Sequence, residues 1–361
     1  MTKTKKIGIL TSGGDCAGLN AVIRAATEAA VNRGWDVVGL RNGHLGLLST
    51  PPDVVALTAD AVRGDGLRGD MLRAGGTILG TTTKGDPFAY PGSDGTKTDR
   101  SGEVLAAIQS LGIEALVVIG GDGSMRLFDR LLAKASIPWV GVPKTIDNDV
   151  PGTEFAVGFM TAVEVAGEAL DRLATTAASH RRIMVLEVMG RDSGYIALFA
   201  GIAGGADVIL MPEFAYDLDA MAAHVRRVTH DRPSPVLVVV AEGLKKPVGE
   251  RRRESNIGDT ISAELQKRTS FDSRCTVLGH LQRGGSPAMF DRLLGSAFGA
   301  RAIHLLAAGE NRQMVAWRGG RVSEIGLDEV TGGPSFVDGN SQMMRTARRL
   351  GIYVGEGPAT R

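Results

Sequence analysis

Short apolar runs that alternate with helix-length segments most constrain how this chain can fold. Most runs are rich in valine and isoleucine with little polar alternation, which is typical of strands covered on both faces. They are residues 7–10, 37–40, 115–119, 139–142, 183–188, 208–211, 236–240 and 276–278, and the predicted helices include residues 20–32, 159–175 and 257–268. The alternation predicts an α/β fold with mostly parallel, doubly wound sheets. The number of runs predicts two Rossmann-like lobes with an active-site cleft between them.

Composition narrows the class of protein. The chain has 361 residues, of which 43% are hydrophobic, so it is long enough for two lobes. Its 41 basic and 40 acidic side chains give a formal net charge of +1, which predicts no nucleic-acid partner. Cys16 and Cys275 lie far apart, and no apolar segment is long enough for a signal peptide or a membrane span. We therefore expect a cytoplasmic protein without a membrane partner.

A short polar segment follows the apolar run at residues 137–142. It contains Lys144 and Thr145 and then two carboxylates, Asp147 and Asp149, that are two residues apart. Residues at this spacing on an extended segment point the same way, so both carboxylates can face a crevice. One would serve as a base and the other as a metal or hydroxyl partner, at the strand end where open α/β sheets bind ligands. The alternative is an acidic turn, since Asn and Asp are common in turns.

Two glycine-rich turns follow other predicted strands, at residues 11–15 and 120–124. In the first turn, Gly13 and Gly14 let the backbone approach a ligand, and the helix that follows favours an anion at its amino terminus. In the second turn, the carboxylate of Asp122 would repel a phosphate unless a cation bridged them, and Mg²⁺ is the natural bridge. The alternative is that Asp122 caps the next helix. Neither turn has the spacing of a Walker loop.

A basic set of residues falls beside the predicted strand ends, and several members are flanked by glycine. Arginine forks suit phosphate oxygens, although an isolated surface arginine usually only favours solubility. The members are Arg181, Arg182, Arg191, Arg274, His280 and Arg283. Glu242, just past the run at residues 236–240, is an acceptor for sugar hydroxyls or the cap of a turn.

Together these features predict phosphoryl transfer from a magnesium-bound phosphate donor to an alcohol that carries its own phosphate. The donor would lie against the glycine-rich turns, and the acceptor's phosphate against the arginines. Asp147 would remove the proton of the alcohol. Lys144, Arg191 and Thr145 would offset the charge that develops on the transferred group.

Five motifs, in this order and spacing, resemble the 6-phosphofructokinases of the bacterial type. They are TSGGD at 11–15, GGDGS at 120–124, TIDND at 145–149, EVMGR at 187–191 and LGHLQRGG at 278–285. The resemblance runs from about residue 6 to about residue 306 and is weak beyond it. It implies that the chain phosphorylates the 1-hydroxyl of fructose 6-phosphate to fructose 1,6-bisphosphate with Mg-ATP in glycolysis.

The resemblance also implies a role for each matching position. Asp147 corresponds to the catalytic base, with Thr145, Arg191 and Lys144 beside it, and Asp122 corresponds to the magnesium carboxylate. The sugar-contacting positions are Thr145, Asp149, Met189, Gly190, Arg191 and Glu242, and the sugar-phosphate positions are Arg182, Arg274, His280 and Arg283. The donor positions are Gly13, Gly121, Gly123 and Ser124. Lys84 stands in for the donor-site arginine that the family carries in the loop after Gly80 and that this chain lacks.

Two further expectations concern organisation. The resemblance implies a larger donor-binding lobe of residues 1–158 and 284–335, and a smaller sugar-phosphate-binding lobe of residues 159–283 and 336–361. In the family, the residues matching Arg182 and Arg274 reach into a neighbour's site. The chain is therefore expected to form a homo-oligomer, a dimer or a tetramer, with sites shared between subunits.

The identity of the donor depends on two positions that disagree. Pyrophosphate users similar to this chain usually carry Asp at the position of Gly123, where it would crowd and repel the α-phosphate of a nucleotide. Lys144 stands where the simplest ATP enzymes carry Gly, and its charge is one that pyrophosphate users exploit. Lost space forbids a nucleotide whereas an added lysine only helps anions, so Gly123 favours ATP over pyrophosphate.

Three alternatives remain open from the sequence. The first is a pyrophosphate-dependent fructose 6-phosphate 1-phosphotransferase. The second is a kinase of nucleotides or lipids with a similar Gly-Gly-Asp-Gly turn, which the cluster at residues 280–285 disfavours. The third is a non-catalytic sugar-phosphate sensor, which would need neither the base Asp147 nor Asp122 and Arg191.

Overall fold

The chain divides into two compact units. The computed structural model describes residues 4–63, 71–92, 94–231, 235–245 and 256–358. The first unit comprises Met1–Ile146, Val150–Met160 and Arg283–Pro334, and the second comprises Asp147–Asp149, Thr161–Gln282 and Ser335–Arg361.

Strands and helices alternate along most of the chain. The strands are β1 (Lys6–Thr11), β2 (Asp36–Leu40), β3 (Val54–Leu57), β4 (Tyr90–Pro91), β5 (Lys97–Thr98), β6 (Ala115–Gly120), β7 (Trp139–Pro143), β8 (Ile183–Val188), β9 (Val208–Leu210), β10 (Phe214–Ala215), β11 (Val236–Ala241), β12 (Ser273–Val277), β13 (Gln313–Arg318), β14 (Arg321–Gly326) and β15 (Glu356–Pro358). The α-helices are α1 (Leu19–Val31), α2 (Ala59–Arg63), α3 (Ser101–Ser110), α4 (Asp122–Ala133), α5 (Phe159–His180), α6 (Tyr195–Ala203), α7 (Leu218–Asp231), α8 (Ile257–Thr269), α9 (Met289–Ala307) and α10 (Gln342–Arg349). Short 3₁₀ helices occupy Gly46–Leu48, Gly279–Arg283 and Leu327–Glu329.

The first unit is built on a seven-stranded sheet, counted over the described residues, in the order β14-β13-β7-β6-β1-β2-β3. The central pairs from β13 to β2 are parallel, and the edge strands β14 and β3 run antiparallel to their neighbours. β6 and β7 are buried along their whole length, as their continuous apolar runs predict. Phe128 of α4 and Trp139 of β7 are among the large side chains of this core.

The second unit contains a four-stranded sheet in the order β12-β8-β11-β9, again counted over the described residues, and all its pairs are parallel. β8 and β11 are fully buried, and Val185 and Val238 pack with Ile261 of α8 in its core. Two mostly parallel sheets, each interleaved with helices, confirm the predicted α/β fold class.

The predicted elements differ from the structure where the apolar signal stops before the element does. The strand expected at residues 276–278 is in fact β12, which begins earlier because Ser273 and Arg274 pair in register with Ile183 and Met184. The sequence analysis also missed the antiparallel hairpin of β13 and β14, whose outer strand is only partly buried. Both errors concern strands at a sheet edge, where polar residues are tolerated.

A tight backbone junction precedes α5. Gly158 has φ +100°, and a Cβ built on it would lie 2.4 Å from the Sγ atom of Cys16. Its amide donates a hydrogen bond of 2.9 Å to the carboxylate of Asp291, which is fully buried. Burial raises the pKa of Cys16 to about 12, so the thiol stays protonated and donates to the carbonyl of Val157. The junction therefore requires glycine for both conformation and space.

Replacing Gly158 by alanine should lower the free energy of unfolding by about 2–4 kcal/mol, because the methyl group overlaps sulfur and the residue is left-handed. Gly167 in the same helix is the matched control, since a Cβ there meets no heavy atom within 4 Å. Gly167→Ala should stabilise the protein by about 0.5–1 kcal/mol. Urea unfolding of the two variants measures both effects, and equal midpoints would contradict this account.

Candidate active site

A cavity of about 370 Å³ in the first unit is lined by both glycine-rich turns. Four of the predicted donor residues line it together: Gly13, Lys84, Gly123 and Ser124. They meet because β1 and β6 are parallel neighbours, so the turns that follow them lie at the same edge of the sheet. We call this space the donor cavity.

Small polar contacts join the two turns. The hydroxyl of Ser124 donates to that of Ser12 at 2.9 Å, and both side chains are buried. The amide of Gly13 donates to the carbonyl of Thr82 at 2.9 Å, which brings the loop carrying Lys84 to the same place. Gly13 has φ +90°, a conformation that favours glycine. Ser12 had no assigned role in the sequence analysis, because a single serine beside a glycine pair gives no distinct signal.

His44 is a second residue of the donor cavity that sequence reasoning missed. Burial lowers the pKa of its imidazole, so the ring stays neutral. Its Nε2–H donates to the carbonyl of Gly85, which holds the loop just after Lys84. An isolated histidine followed by an apolar stretch gave no indication of this position.

Asp122 is the first residue of α4, and Gly121 is the N-cap residue. The alternative that Asp122 caps this helix is therefore wrong. Its carboxylate instead lies 2.8 Å from the guanidinium of Arg126, one turn further along the helix. The described residues contain no cluster of three or more His, Cys, Asp or Glu side chains that could hold a metal. One carboxylate nevertheless fits Mg²⁺, which is usually held by one or two carboxylates plus phosphate oxygens and water.

Lys144 directly follows β7 and donates hydrogen bonds to both glycine-rich turns. Its amide donates to the carbonyl of Gly120 at 3.0 Å, and its ammonium donates to the carbonyl of Gly14 at 2.5 Å. The side chain is only 4% exposed. Arg283, predicted to bind the sugar phosphate, donates from Nη1 to the carbonyl of Asp15 at 3.1 Å. The structure therefore places Lys144 and Arg283 beside the first glycine-rich turn.

The segment with the paired carboxylates is not extended, so the alternation argument that made Asp147 and Asp149 face the same way was wrong. Asn148 between them has φ +53°, in the left-handed region. The segment is instead held by its backbone. The carbonyl of Asp147 accepts a hydrogen bond of 2.8 Å from the hydroxyl of Ser193, and the carbonyl of Asp149 accepts one of 2.7 Å from the amide of Ser335. Thr145, just before it, donates its amide to the carbonyl of Val157.

A second cavity, of about 380 Å³, lies in the second unit at the carboxyl ends of β8 and β11. Arg191 and Glu242 both line it, together with the buried carboxylate of Glu187. Glu187 accepts a hydrogen bond of 2.7 Å from the amide of Gly258 at the start of α8. The predicted sugar residues Arg191 and Glu242 are thus brought together, and we call this space the sugar cavity.

Gln282 holds the backbone of Met189, the first of the two predicted sugar residues that follow β8. Its Oε1 accepts from the amide of Met189 at 2.6 Å, and its Nε2 donates to the carbonyl of Ala162 in α5. The next residue, Gly190, accepts from the amide of Gly243 at 3.0 Å. Gln282 is 1% exposed. The motif at residues 278–285 contained this residue, but its amide was not recognised as a backbone partner.

Two predicted sugar-phosphate residues lie away from the sugar cavity. Arg182 directly precedes β8 and Arg274 lies at the start of β12, whereas Met189 follows the other end of β8. The carboxylate of Asp272 pairs with both guanidiniums, at 2.6 Å for Arg182 and 2.5 Å for Arg274. His280 is exposed in the 3₁₀ helix Gly279–Arg283, beyond the carboxyl end of β12. Within one chain the structure does not bring the two arginines to the other sugar residues of the second unit.

Over the described ranges, no α-helix combines the length and the apolarity that a membrane span requires.

One family model and two relatives match this chain over most of its length. The family model described as phosphofructokinase matches residues 6–306. A relative from Nostoc sp., named ATP-dependent 6-phosphofructokinase 1, is 47% identical over 365 aligned positions that cover 99% of this chain and 100% of the relative. A relative of the same name from Synechocystis sp. is 46% identical and covers 98% of this chain and 99% of the relative.

Two solved structures of phosphofructokinases are also similar to this chain. Phosphofructokinase from Pichia pastoris in the T-state is similar with a TM-score of 0.80 and 29% identity, over 97% of this chain and 37% of that longer chain. Pyrophosphate-dependent phosphofructokinase from Nitrosospira multiformis has a TM-score of 0.81 at 21% identity, over 99% of this chain and 94% of that chain. The second likeness concerns the fold alone.

Ser193→Ala should slow phosphoryl transfer about three- to tenfold, because the hydrogen bond that holds the carbonyl of Asp147 is lost. Ser179→Ala is the matched control, since the hydroxyl of Ser179 donates to a carbonyl within α5, at Thr175. Steady-state kcat measures the effect, with substrate KM values expected to stay within about twofold. Equal kcat in the two variants would show that Ser193 does not position the segment.

Proposed function

Because the chain belongs to the phosphofructokinase family, we propose that it transfers the γ-phosphoryl group of ATP to the 1-hydroxyl of fructose 6-phosphate. The products are fructose 1,6-bisphosphate and ADP, and the reaction is a step of glycolysis. A third relative, from Chloroflexus aurantiacus, is 44% identical over 98% of this chain and is also named ATP-dependent 6-phosphofructokinase. The observation that carries the proposal is the donor cavity, where two glycine-rich turns and Lys84 meet.

The donor half of the reaction uses the first unit. The phosphates of ATP would lie against Gly13, Gly121, Gly123 and Ser124, with Lys84 as a point charge. The amino terminus of α4, which begins at Asp122, favours an anion at the same place. Mg²⁺ held by Asp122 and by donor phosphate oxygens would offset negative charge on the group that is transferred.

The acceptor half uses Asp147 as the base. As the 1-hydroxyl oxygen bonds to the γ-phosphorus, its proton passes to the carboxylate of Asp147, and the bond between the γ-phosphorus and the oxygen of the departing ADP breaks. The hydrogen bond from Ser193 to the carbonyl of Asp147 holds this segment in place. Thr145, Lys144 and Arg191 would stabilise the charge on the transferred group.

The sugar would be bound by Asp149, Met189, Gly190, Arg191 and Glu242, and its phosphate by His280 and Arg283. We further propose that Arg182 and Arg274 serve the site of a neighbouring copy. Supporting this, they lie at the amino ends of β8 and β12, away from the sugar cavity of their own unit. A strand rises about 3.3 Å per residue, so the two ends of β8 lie too far apart to hold one phosphate. The protein would then act as a homo-oligomer, a dimer or a tetramer, in the cytoplasm.

ATP is favoured over pyrophosphate by the space at Gly123. Apart from its chain neighbours and the backbone of its own helix, a Cβ built on Gly123 meets a single heavy atom of the described residues within 4 Å, Nη2 of Arg126 at 3.8 Å. A larger side chain would therefore extend into open space at the donor cavity. Lys144 does not oppose this assignment, because its ammonium donates to the carbonyl of Gly14.

Asp147→Asn should lower kcat by about 10²- to 10⁴-fold, because the amide cannot accept the proton of the 1-hydroxyl. Binding of fructose 6-phosphate, measured by calorimetry, should change less than about threefold. Asp171→Asn, at an exposed position of α5, is the control for the loss of one carboxylate. Turnover retained in Asp147→Asn would refute the role of the base, and the absence of fructose 6-phosphate phosphorylation in the wild type would refute the function.

Gly123→Asp should raise KM for ATP by more than about tenfold, because the carboxylate fills the space of the α-phosphate and repels it. Gly123→Ala adds a methyl group without charge and should change KM by less than about threefold. Steady-state kinetics with ATP and with pyrophosphate at one sugar concentration measures both variants. If the wild type uses pyrophosphate as efficiently as ATP, the donor assignment is wrong.

A further inference from the structure

We propose that Arg126 is a ligand for the phosphates of the donor, and that its pairing with Asp122 holds it ready until the donor and its metal arrive. The inference rests on the proposed function and deepens it, because it adds a cation that the family motifs do not include. It also accounts for the arginine that the loop after Gly80 lacks.

The position of the guanidinium carries the proposal. Nη1 of Arg126 lies 2.8 Å from the carboxylate of Asp122, the candidate magnesium ligand. Nη2 lies 3.8 Å from the Cβ position of Gly123, and apart from its chain neighbours and the backbone of its own helix, no other heavy atom of the described residues comes within 4 Å of that position. The open space above Gly123, where a nucleotide phosphate would lie, is therefore bounded by this guanidinium. The next residue along α4, Leu127, lines the donor cavity itself.

Helix stability alone does not explain an arginine at this place. The Arg126 side chain is 45% exposed, and ion pairs between exposed residues four apart in a helix contribute little. Asp122 in the first turn is already stabilised by the helix dipole, whereas a cation near the amino terminus is disfavoured. Arg126 therefore adds little to the stability of the helix, and binding an anion from outside the helix is the role that explains its location.

The other predicted cations near the glycine-rich turns leave room for this role. Lys144 donates its ammonium to the carbonyl of Gly14, and Lys84 is an exposed point charge. Neither offers the planar fork that binds two phosphate oxygens at once. Arg126 would supply that fork from a rigid helix.

Binding would exchange partners at Asp122. Without metal, the guanidinium would contact Asp122 and a donor phosphate at the same time, because it carries five N–H donors. Once the metal takes the carboxylate, the guanidinium would lose that partner and contact only phosphate oxygens of the donor. Arg126 and the metal thus compete for Asp122 but cooperate on the donor. Removing the guanidinium should therefore weaken metal-free nucleotide binding and, at the same time, lower the Mg²⁺ concentration that the site needs.

Calorimetric binding of ATP to the full-length protein tests both effects without turnover. In EDTA, Arg126→Gln should raise the Kd for ATP about tenfold or more, since it removes charge-assisted hydrogen bonds. With Mg²⁺ titrated at fixed ATP, half of the metal-dependent gain in binding should occur at an Mg²⁺ concentration about two- to fivefold lower than in the wild type. Arg126→Lys should lie between the two. Arg172→Gln removes a comparable helical partner of a carboxylate, that of Glu168, and should match the wild type in both assays.

Two results would overturn the proposal. One is an unchanged Kd for ATP in EDTA with Arg126→Gln. The other is a higher Mg²⁺ requirement in that variant, which would mean that Arg126 only orients Asp122. Wild-type protein that binds no ATP even with Mg²⁺ would instead overturn the proposed function, and this inference with it. Equal urea midpoints for the wild type, Arg126→Gln and Arg126→Lys exclude misfolding as the cause of a difference.

Discussion

The parallel pairing of β1 with β6 is the constraint on which the candidate site depends. Register places Thr11 beside Ile119, so the two glycine-rich turns begin at one edge of the sheet. β7 is the next strand in that sheet, and it delivers Lys144 to the same edge. Hydrogen bonds between Ser12 and Ser124, and from Lys144 to Gly14, then fix the turns against each other. Turns fixed against each other in this way are pre-organised, so little reorganisation is needed when a polyanion binds.

In the second unit, the direction of the strands separates the predicted sugar residues into two groups. All four strands run parallel, so every carboxyl end lies at one edge and every amino end at the other. Arg191 and Glu242 follow carboxyl ends and share a cavity, whereas Arg182 and Arg274 lie at amino ends. Asp272 pairs with both arginines and keeps their two positive charges close together in spite of their repulsion. A paired set of forks held at the far edge of a sheet is suited to a phosphate that another molecule presents.

The sequence predicts the buried strands well because a strand covered on both faces must be apolar throughout, as β6, β8 and β11 are. It predicts edge strands poorly, because β12 and β14 carry polar residues that leave no periodic signal. Residues whose chemistry is distinctive, such as Lys84 and Glu242, were predicted from the sequence as ligand-binding candidates, and each lines a cavity. Residues that act through backbone hydrogen bonds were not predicted, because Ser193 and Gln282 look like any small polar residue until the fold brings a carbonyl or an amide to them. The left-handed Asn148 belongs to the same class, since a turn and an extended segment share this composition.

The location of Lys144 resolves the disagreement between the two donor signals. A lysine there was taken to favour pyrophosphate because of its charge, yet the ammonium is buried and donates to the carbonyl of Gly14. A buried ammonium needs such partners, so part of its role is to hold the first glycine-rich turn. That role is the same for either donor, whereas the space at Gly123 is not. A nucleotide needs the room that the missing side chain leaves, and pyrophosphate does not, so the architecture of the two turns favours ATP on steric grounds even with the lysine present.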